Sequence, residues 1–438
     1  MLDLSKIAQQ MQGISNHLAK EAEAAKVRIA IATQLLHQAH QHQAHLVDQL
    51  HTNNLGFAAA EPVEPLDTRV SINPAPEAHT VIATDGSQIN PSHHEIAYCY
   101  LLNIGRVVLH YGQSRFPLLD SQPEVIYRPE DLYASRQWGI RTEEWMGHRR
   151  TVSEAVVLGE LGEAVNCEKG EKGKGERGKG NGENLEGGPG LAGQPTKGQR
   201  SLRNKKSRQL SLLQRPAVPT LAMTDGSLIY WFLDQMPAPA RDQILEPILA
   251  AWDRLRQAQV PMVGYLSASR SSEALNFLRL QSCPHSQPDC QKHCEGQTDG
   301  APCQVFSPLR DVTLWATLLE PGQRGPLFKS SADSLQLYGD HQVYFCHVHV
   351  GAEIARVEFP EWVVNDPKLF DAALSLTLTQ VQKGFGYPVT LAEAHNQAVV
   401  RGGDRNRFFA LLEQQMLRAG LQNVGTSYKE ARKRGSIA

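Results

Sequence analysis

Two carboxylates stand in the same short context at distant points of the chain. IATDGSQI sets Asp85 behind the apolar run Thr80-Val81-Ile82-Ala83, and AMTDGSLIYW sets Asp225 behind Pro219-Thr220-Leu221-Ala222-Met223-Thr224. A short apolar run that ends at a turn signal reads as a buried strand. The glycine after each Asp lets the backbone turn sharply or lets another group come close. One Asp-Gly-Ser is an ordinary turn. Two copies with one kind of lead-in predict two strand-end carboxylates that converge. Oxygen ligands of this kind select Mg²⁺ or Mn²⁺. Two such ions about 4 Å apart can activate water and stabilise the leaving oxygen of a phosphodiester.

Such a site needs further donors. The helical stretch RTEEWMGHRRTVSEAVVLGELGEAV at 141–165 offers Glu154 and Glu160. Six residues of helix are about 600° of rotation, so the two lie on different faces and one serves. Glu154 lies beside His148-Arg149-Arg150, a basic run that can meet phosphate. Near the C-terminus, GYPVTLAEAHNQAVV puts Tyr387 before Pro388 and His395 eight residues later on a helix.

A second constellation is soft, not hard. CPHSQPDCQKHCEGQTDGAPC holds Cys283, Cys290, Cys294 and Cys303, with His285 and His293 between them. Thiolates select Zn²⁺ or an iron–sulfur cluster over Mg²⁺. The spacing lacks the paired C-x2-C of common zinc modules, so structural zinc, iron–sulfur and free thiols all stay open.

The elements that carry these groups alternate. Residues 1–55 form a helical arm, with Ile7, Met11, Ile14 and Leu18 at three- and four-residue steps, suited to docking, dimerisation or a partner. A Pro-rich linker follows at 56–79. The body begins at the first Asp strand, which grows into a meander with strands at 96–104 and 106–111 and a turn at Gly105. Helix 240–257, strand 260–266 and helix 271–280 come after the second Asp strand. A hairpin at 343–350 and 355–359 then leads to helices at 367–383, 391–400 and 404–419. Alternating helices and strands point to an α/β core.

Residues 168–208 differ in kind, with 11 Gly, 11 Lys/Arg and 5 Glu, a net of +6 in a chain of −2. They cannot bury enough apolar area to order themselves and read as a disordered basic insertion. The domain reading is therefore 1–55 arm, 56–79 linker, 80–165 with 209–420 as the catalytic body, 166–208 insertion, 283–303 Cys-rich loop and 421–438 basic tail. Bulk charge announces no polyanion partner, so any nucleic-acid surface is local. No apolar run reaches the ~18 residues of a membrane span, and no signal peptide is visible. Seven cysteines, an odd count, fit a reducing cytoplasmic setting better than a disulfide framework.

In their order and spacing, ATDGSQI, MTDGSLI, YFCHVHVGAEIARVEFPEW and GYPVTLAEAHNQAVV resemble the NurA nucleases, which process DNA ends beside the HerA hexameric ATPase. The likeness covers roughly 80–165 and 219–415. It implies an RNase H-like core (a mixed sheet flanked by helices), a toroidal homodimer, and Mn²⁺- or Mg²⁺-dependent cleavage. The expected substrates are DNA ends, degraded 5′ to 3′, and single strands cut internally, in double-strand break repair. The family's catalytic positions fall on Asp85, Glu154, Asp225, Tyr387 and His395, with Asp85, Glu154, Asp225 and His395 as the expected Mn²⁺ or Mg²⁺ ligands. The chain departs from the family in the insertion and in the loop Ser267-Ala268-Ser269-Arg270, where Arg replaces a frequent Lys. Two other readings remain: a non-catalytic clamp for DNA or a motor partner, and a phosphoesterase of the same fold acting on RNA or a small phosphodiester.

Overall fold

Three consecutive apolar segments, 81–83, 221–223 and 262–263, are buried almost completely, as strands covered on both faces must be. The structure, a computed structural model, describes residues 4–53, 55–91, 97–172, 218–294 and 300–421. It opens with α1 (Leu4–Gln41) and α2 (Gln43–Thr52), followed by β1 (Glu61–Pro62) and β2 (Val70–Ser71). A meander of β3 (His79–Ile89), β4 (Tyr100–Tyr111) and β5 (Leu118–Ile126) leads through α3 (Pro129–Leu132) into α4 (Thr142–Lys172). Next come β6 (Thr220–Asp225), α5 (Ala238–Gln257), β7 (Met262–Leu266), α6 (Glu273–Gln281), α7 (Cys290–Cys294) and α8 (Asp311–Trp315). The chain continues through β8 (Gln323–Arg324), β9 (Phe328–Lys329), β10 (Val343–His349) and β11 (Ile354–Pro360). It closes with α9 (Glu361–Val364), α10 (Pro367–Lys383), α11 (Val389–Ala398) and α12 (Gly402–Arg418).

One mixed sheet unites them in the order β1-β9-β10-β11-β7-β6-β3-β4-β5, with β2 and β8 attached beside β10. Its centre, β3-β6-β7, is parallel, and the strands outside it pair antiparallel. The parallel register sets Thr84 beside Thr224 and Thr224 beside Gly264.

Side chains alternate across a strand, so β3 divides its work. Ile82, Thr84 and Gly86 face α4, where the Thr84 hydroxyl donates to the Glu154 carbonyl at 2.9 Å. Ala83, Asp85 and Ser87 face the other way, where the Ser87 hydroxyl donates to the Ala398 carbonyl of α11. Helices α4 and α5 pack together on one face, α10 and α11 on the other. α10 begins where the sequence tells it to: Pro367 occupies its first turn and the Asp366 carboxylate accepts from the Lys368 and Leu369 amides, a cap worth about 1 kcal/mol.

A second core ties the arm to the body. Ala32, Leu36, Ala39 and Leu46 bury against Leu275, Leu278, Trp315 and Phe328. The first half of α1 stays outside it, with Leu4, Met11, Ile14 and Leu18 exposed.

Four expectations need correction. β3 does not end at Asp85 but runs on to Ile89, because β4 pairs with it along its whole length. The predicted strands at 96–104 and 106–111 are one strand, and Gly105 is no turn. It lies where the backbone of α11 at Ala394 and Ala398 crosses the sheet, too close for any side chain. The 56–79 linker contributes β1 and β2 to the sheet. The helix carrying Glu154 continues past 165 to Lys172. The rest of the predicted insertion and all but Leu421 of the basic tail lie outside the described residues.

Candidate active site

The first Asp-Gly-Ser lies within a strand and the second ends one. Asp225 closes β6, and Gly226 turns the chain away with φ +103°, a conformation open to glycine at little cost. β3 continues past the same level, so beyond Asp225 it has no parallel neighbour, and a slot opens in the sheet. Since Thr84 and Thr224 are in register, Asp85 and Asp225 are neighbours on adjacent strands, about 5 Å apart in backbone. Glu154 enters the slot from α4, on the opposite face. Its path crosses Gly86, where a Cβ would collide with the Glu154 carboxylate and the Arg150 stem. Asp85, Glu154 and Asp225, together with Arg150, Thr224 and Ser227, line one cavity of about 320 Å³.

Each carboxylate has a neighbour that fixes it. Asp85 accepts from the Gly86 amide at 2.8 Å, and its other oxygen lies 2.8 Å from His395 Nδ1. Glu154 pairs with Arg150 at 3.2 Å. The Tyr387 hydroxyl lies near Asp225 and favours its charged form, and its ring packs edge-on against Tyr265 at 5.8 Å. The seat is poorly solvated and crowded with like charge. Burial, with the charges of Asp85 and Asp225 behind it, pushes the Glu154 carboxyl up to about 7 against the pull of Arg150. Burial and Asp85 also raise the Asp225 carboxyl, against the pull of the Tyr387 hydroxyl.

The structure therefore brings together Asp85, Glu154, Asp225, Tyr387 and His395. Glu160 is elsewhere, half exposed and 4.0 Å from Arg254. The four cysteines gather around a separate cavity beside α6.

Among the described residues no group of three or more His, Cys, Asp or Glu side chains is already arranged to hold a metal ion. In the slot, Asp85 turns toward His395 and Glu154 toward Arg150. The donor chemistry nonetheless fits a hard divalent cation: three carboxylates share one cavity, and two of them are raised in part by mutual repulsion that a cation would relieve.

The sequence did not reveal what supports the second copy. Glu358 of β11 accepts from the Ser227 hydroxyl at 2.8 Å and the Leu228 amide at 2.7 Å, fixing the turn after Asp225. Its other oxygen takes Arg356 Nε at 2.7 Å, and Arg356 also pairs with Glu273 at 2.6 Å, all fully or nearly buried. A signal was present: IARVEFP is an apolar run broken by two opposite charges two residues apart, which in a central strand share one buried face.

Among the described residues no helix is long and apolar enough to cross a membrane. No curated protein matches the chain significantly. The crystal structure of the NurA nuclease from Sulfolobus solfataricus is 12% identical and aligns over 97% of this chain and 99% of its own, with a TM-score of 0.47. Likeness at that level carries no argument about the site. The NurA domain model, by contrast, matches residues 79–400 of 438, a span that holds the slot and both helices closing on it. By that match the chain belongs to the NurA family of nucleases.

Proposed function

We propose that the chain is a metal-dependent deoxyribonuclease that works at DNA ends, 5′ to 3′, and cuts single strands internally. The observation that carries this reading is the register of Asp85 and Asp225, with Glu154 reaching the same slot. The strand order β5-β4-β3-β6-β7, three antiparallel strands followed by two parallel ones, supports an RNase H-like core.

Asp85, Glu154 and Asp225 are the residues that would hold Mn²⁺ or Mg²⁺, with His395 at the rim. When bound, such ions offset the carboxylate charge and stabilise the charge that develops on a reacting phosphate. His395 moves a proton. Its Nδ1 is engaged by Asp85, so Nε2 is left to face substrate, and the ring is largely exposed. Tyr387 orients Asp225 through its hydroxyl. Arg150 neutralises phosphate once Glu154 turns toward a cation.

The exposed apolar positions of α1 support a homodimer and docking of a HerA-type hexameric ATPase in end resection. Cys99, Cys283, Cys290, Cys294, Cys303 and Cys346 stand outside any disulfide, consistent with a reducing cytoplasmic setting.

The test is cleavage of end-labelled single- and double-stranded DNA and RNA by the full chain with Mn²⁺, Mg²⁺ or EDTA. DNA cleavage that EDTA stops is the expected result. Cleavage that persists in EDTA, or a chain that cuts only RNA, contradicts the reading. DNA binding without cleavage would make the protein a clamp.

A further inference from the structure

Cys283, Cys290, Cys294 and Cys303 are spread over 21 residues of loop and short helix, yet all four line one small cavity beside α6. Its volume is about 10 Å³, at the lower limit for a single water. The four sulfurs are not at ligand distance from a common point, but a space that small lined by four cysteines suits a monatomic ion, not a small molecule. None of the four is in a disulfide.

A second observation points the same way. Arg279 of α6 is buried, with only 7% of its surface exposed. Among the described residues no carboxylate pairs with it. Its Nε and Nη2 both donate to Cys303 Sγ at 3.4 Å, and its guanidinium lies 3.5 Å from the Phe57 ring centre. A buried cation without an anion is costly, and a neutral thiol returns little of that cost. A thiolate returns it, and four thiolates around one divalent ion carry a net charge of −2 that the guanidinium partly offsets.

We infer that these four cysteines hold one zinc ion as a closed tetrahedral thiolate site, with Arg279 donating to the sulfur of Cys303. Binding releases the four thiol protons to solvent, and no oxidant or reductant takes part. Ligation draws the sulfurs inward from their present positions to about 2.3 Å from the ion. Four protein ligands leave no open position, so the ion is structural. It pins the stretch after α6 against the end of the arm, where Cys290 packs against Gly56 and Gln49 donates to the Ser286 carbonyl at 3.2 Å. Sulfur ligands and carboxylate ligands prefer different metals, so Mn²⁺ or Mg²⁺ in the slot leaves this ion in place.

The experiment is elemental analysis of the full chain purified under reducing conditions without added metal, followed by thiol titration and cobalt substitution. The expected result is about one zinc per chain, no iron, and the intense visible bands of tetrahedral cobalt–thiolate after exchange. Cys290→Ser should lose the ion, while Cys99→Ser, at a buried cysteine outside the cluster, keeps it. Arg279→Gln should keep the ion but weaken its hold against a chelator by roughly 10–100-fold, as loss of an outer-shell donor does. The wild-type measurements decide independently of how Cys290→Ser folds. Metal-free protein with all four thiols freely alkylated, or iron in place of zinc, overturns the inference.

Discussion

The two Asp-Gly-Ser copies share a sequence and differ in almost everything else. The first lies inside an 11-residue strand paired with β4 throughout. Its glycine has ordinary extended backbone and is needed because α4 passes where a side chain would stand. The second ends its strand, and its glycine is needed for a φ of +103°, with nothing within 4 Å of a would-be Cβ. Ser87 ties the first copy to α11, and Ser227 ties the second to the buried Glu358–Arg356–Glu273 chain. The difference makes the site. If both strands continued, α4 would be walled off from the aspartates, and if both turned away, Asp85 would lose its rigid mount. One strand that stays and one that leaves create a slot where carboxylates from opposite faces of a sheet can meet.

The largest asymmetry concerns His395, which touches Asp85 and not Asp225. His395→Ala should lower single-turnover cleavage by roughly 10²–10⁴-fold, the usual worth of a positioned acid or base, with DNA affinity little changed. Weakened binding at an unchanged single-turnover rate would assign His395 to substrate holding instead.

Glu154, which crosses between the copies, should make the chelated protein's stability depend on pH. Its carboxyl rises from 4.5 to about 7, and at 1.36 kcal/mol per unit this is about 3 kcal/mol. The folded carboxyl keeps its proton where the unfolded one has lost it. This contribution is therefore fully present below 4.5, falls as pH rises, and has been lost above about 7. Glu154→Gln should flatten that fall in denaturant titrations with EDTA, and Mn²⁺ should oppose it in the wild type. Equal slopes in wild type and variant would show that Glu154 does not feel the slot.

The glycines should fail differently. Gly226→Ala forces a left-handed conformation and should cost on the order of 1–2 kcal/mol of stability, with turnover per folded molecule less affected. Gly86→Ala should displace Glu154 and Arg150 and lower turnover more than melting temperature. Two variants with the same balance of effects would erase the distinction drawn between the copies.

Much of this was written in local sequence. The apolar lead-ins mark β3 and β6, the proline and Asp366 mark the start of α10, and the chemistry of Asp85, Asp225 and Glu154 follows from residue type and spacing. Features set by distant partners were not readable. Gly86 and Gly105 look like breaks, yet both sit in unbroken strands because helices from elsewhere in the chain pack against them. β1 and β2 have two residues each, and only their pairing with β9 and β8 makes them strands. Glu358 is separated from Ser227 by 131 residues, so its hold on the second copy appears only when β11 reaches β7.

The central claim, that two unlike copies make one cation site, is tested most directly by Mn²⁺ titration of wild type, Asp85→Asn, Asp225→Asn and the double variant, with folding verified for each. Each single change should weaken binding by roughly tenfold or more, since even outer-shell changes at metal sites cost 10–100-fold. The double change should be little worse than either alone, because both aspartates serve the same site. Full-strength Mn²⁺ binding in either single variant, or losses that simply add in the double, would contradict the account.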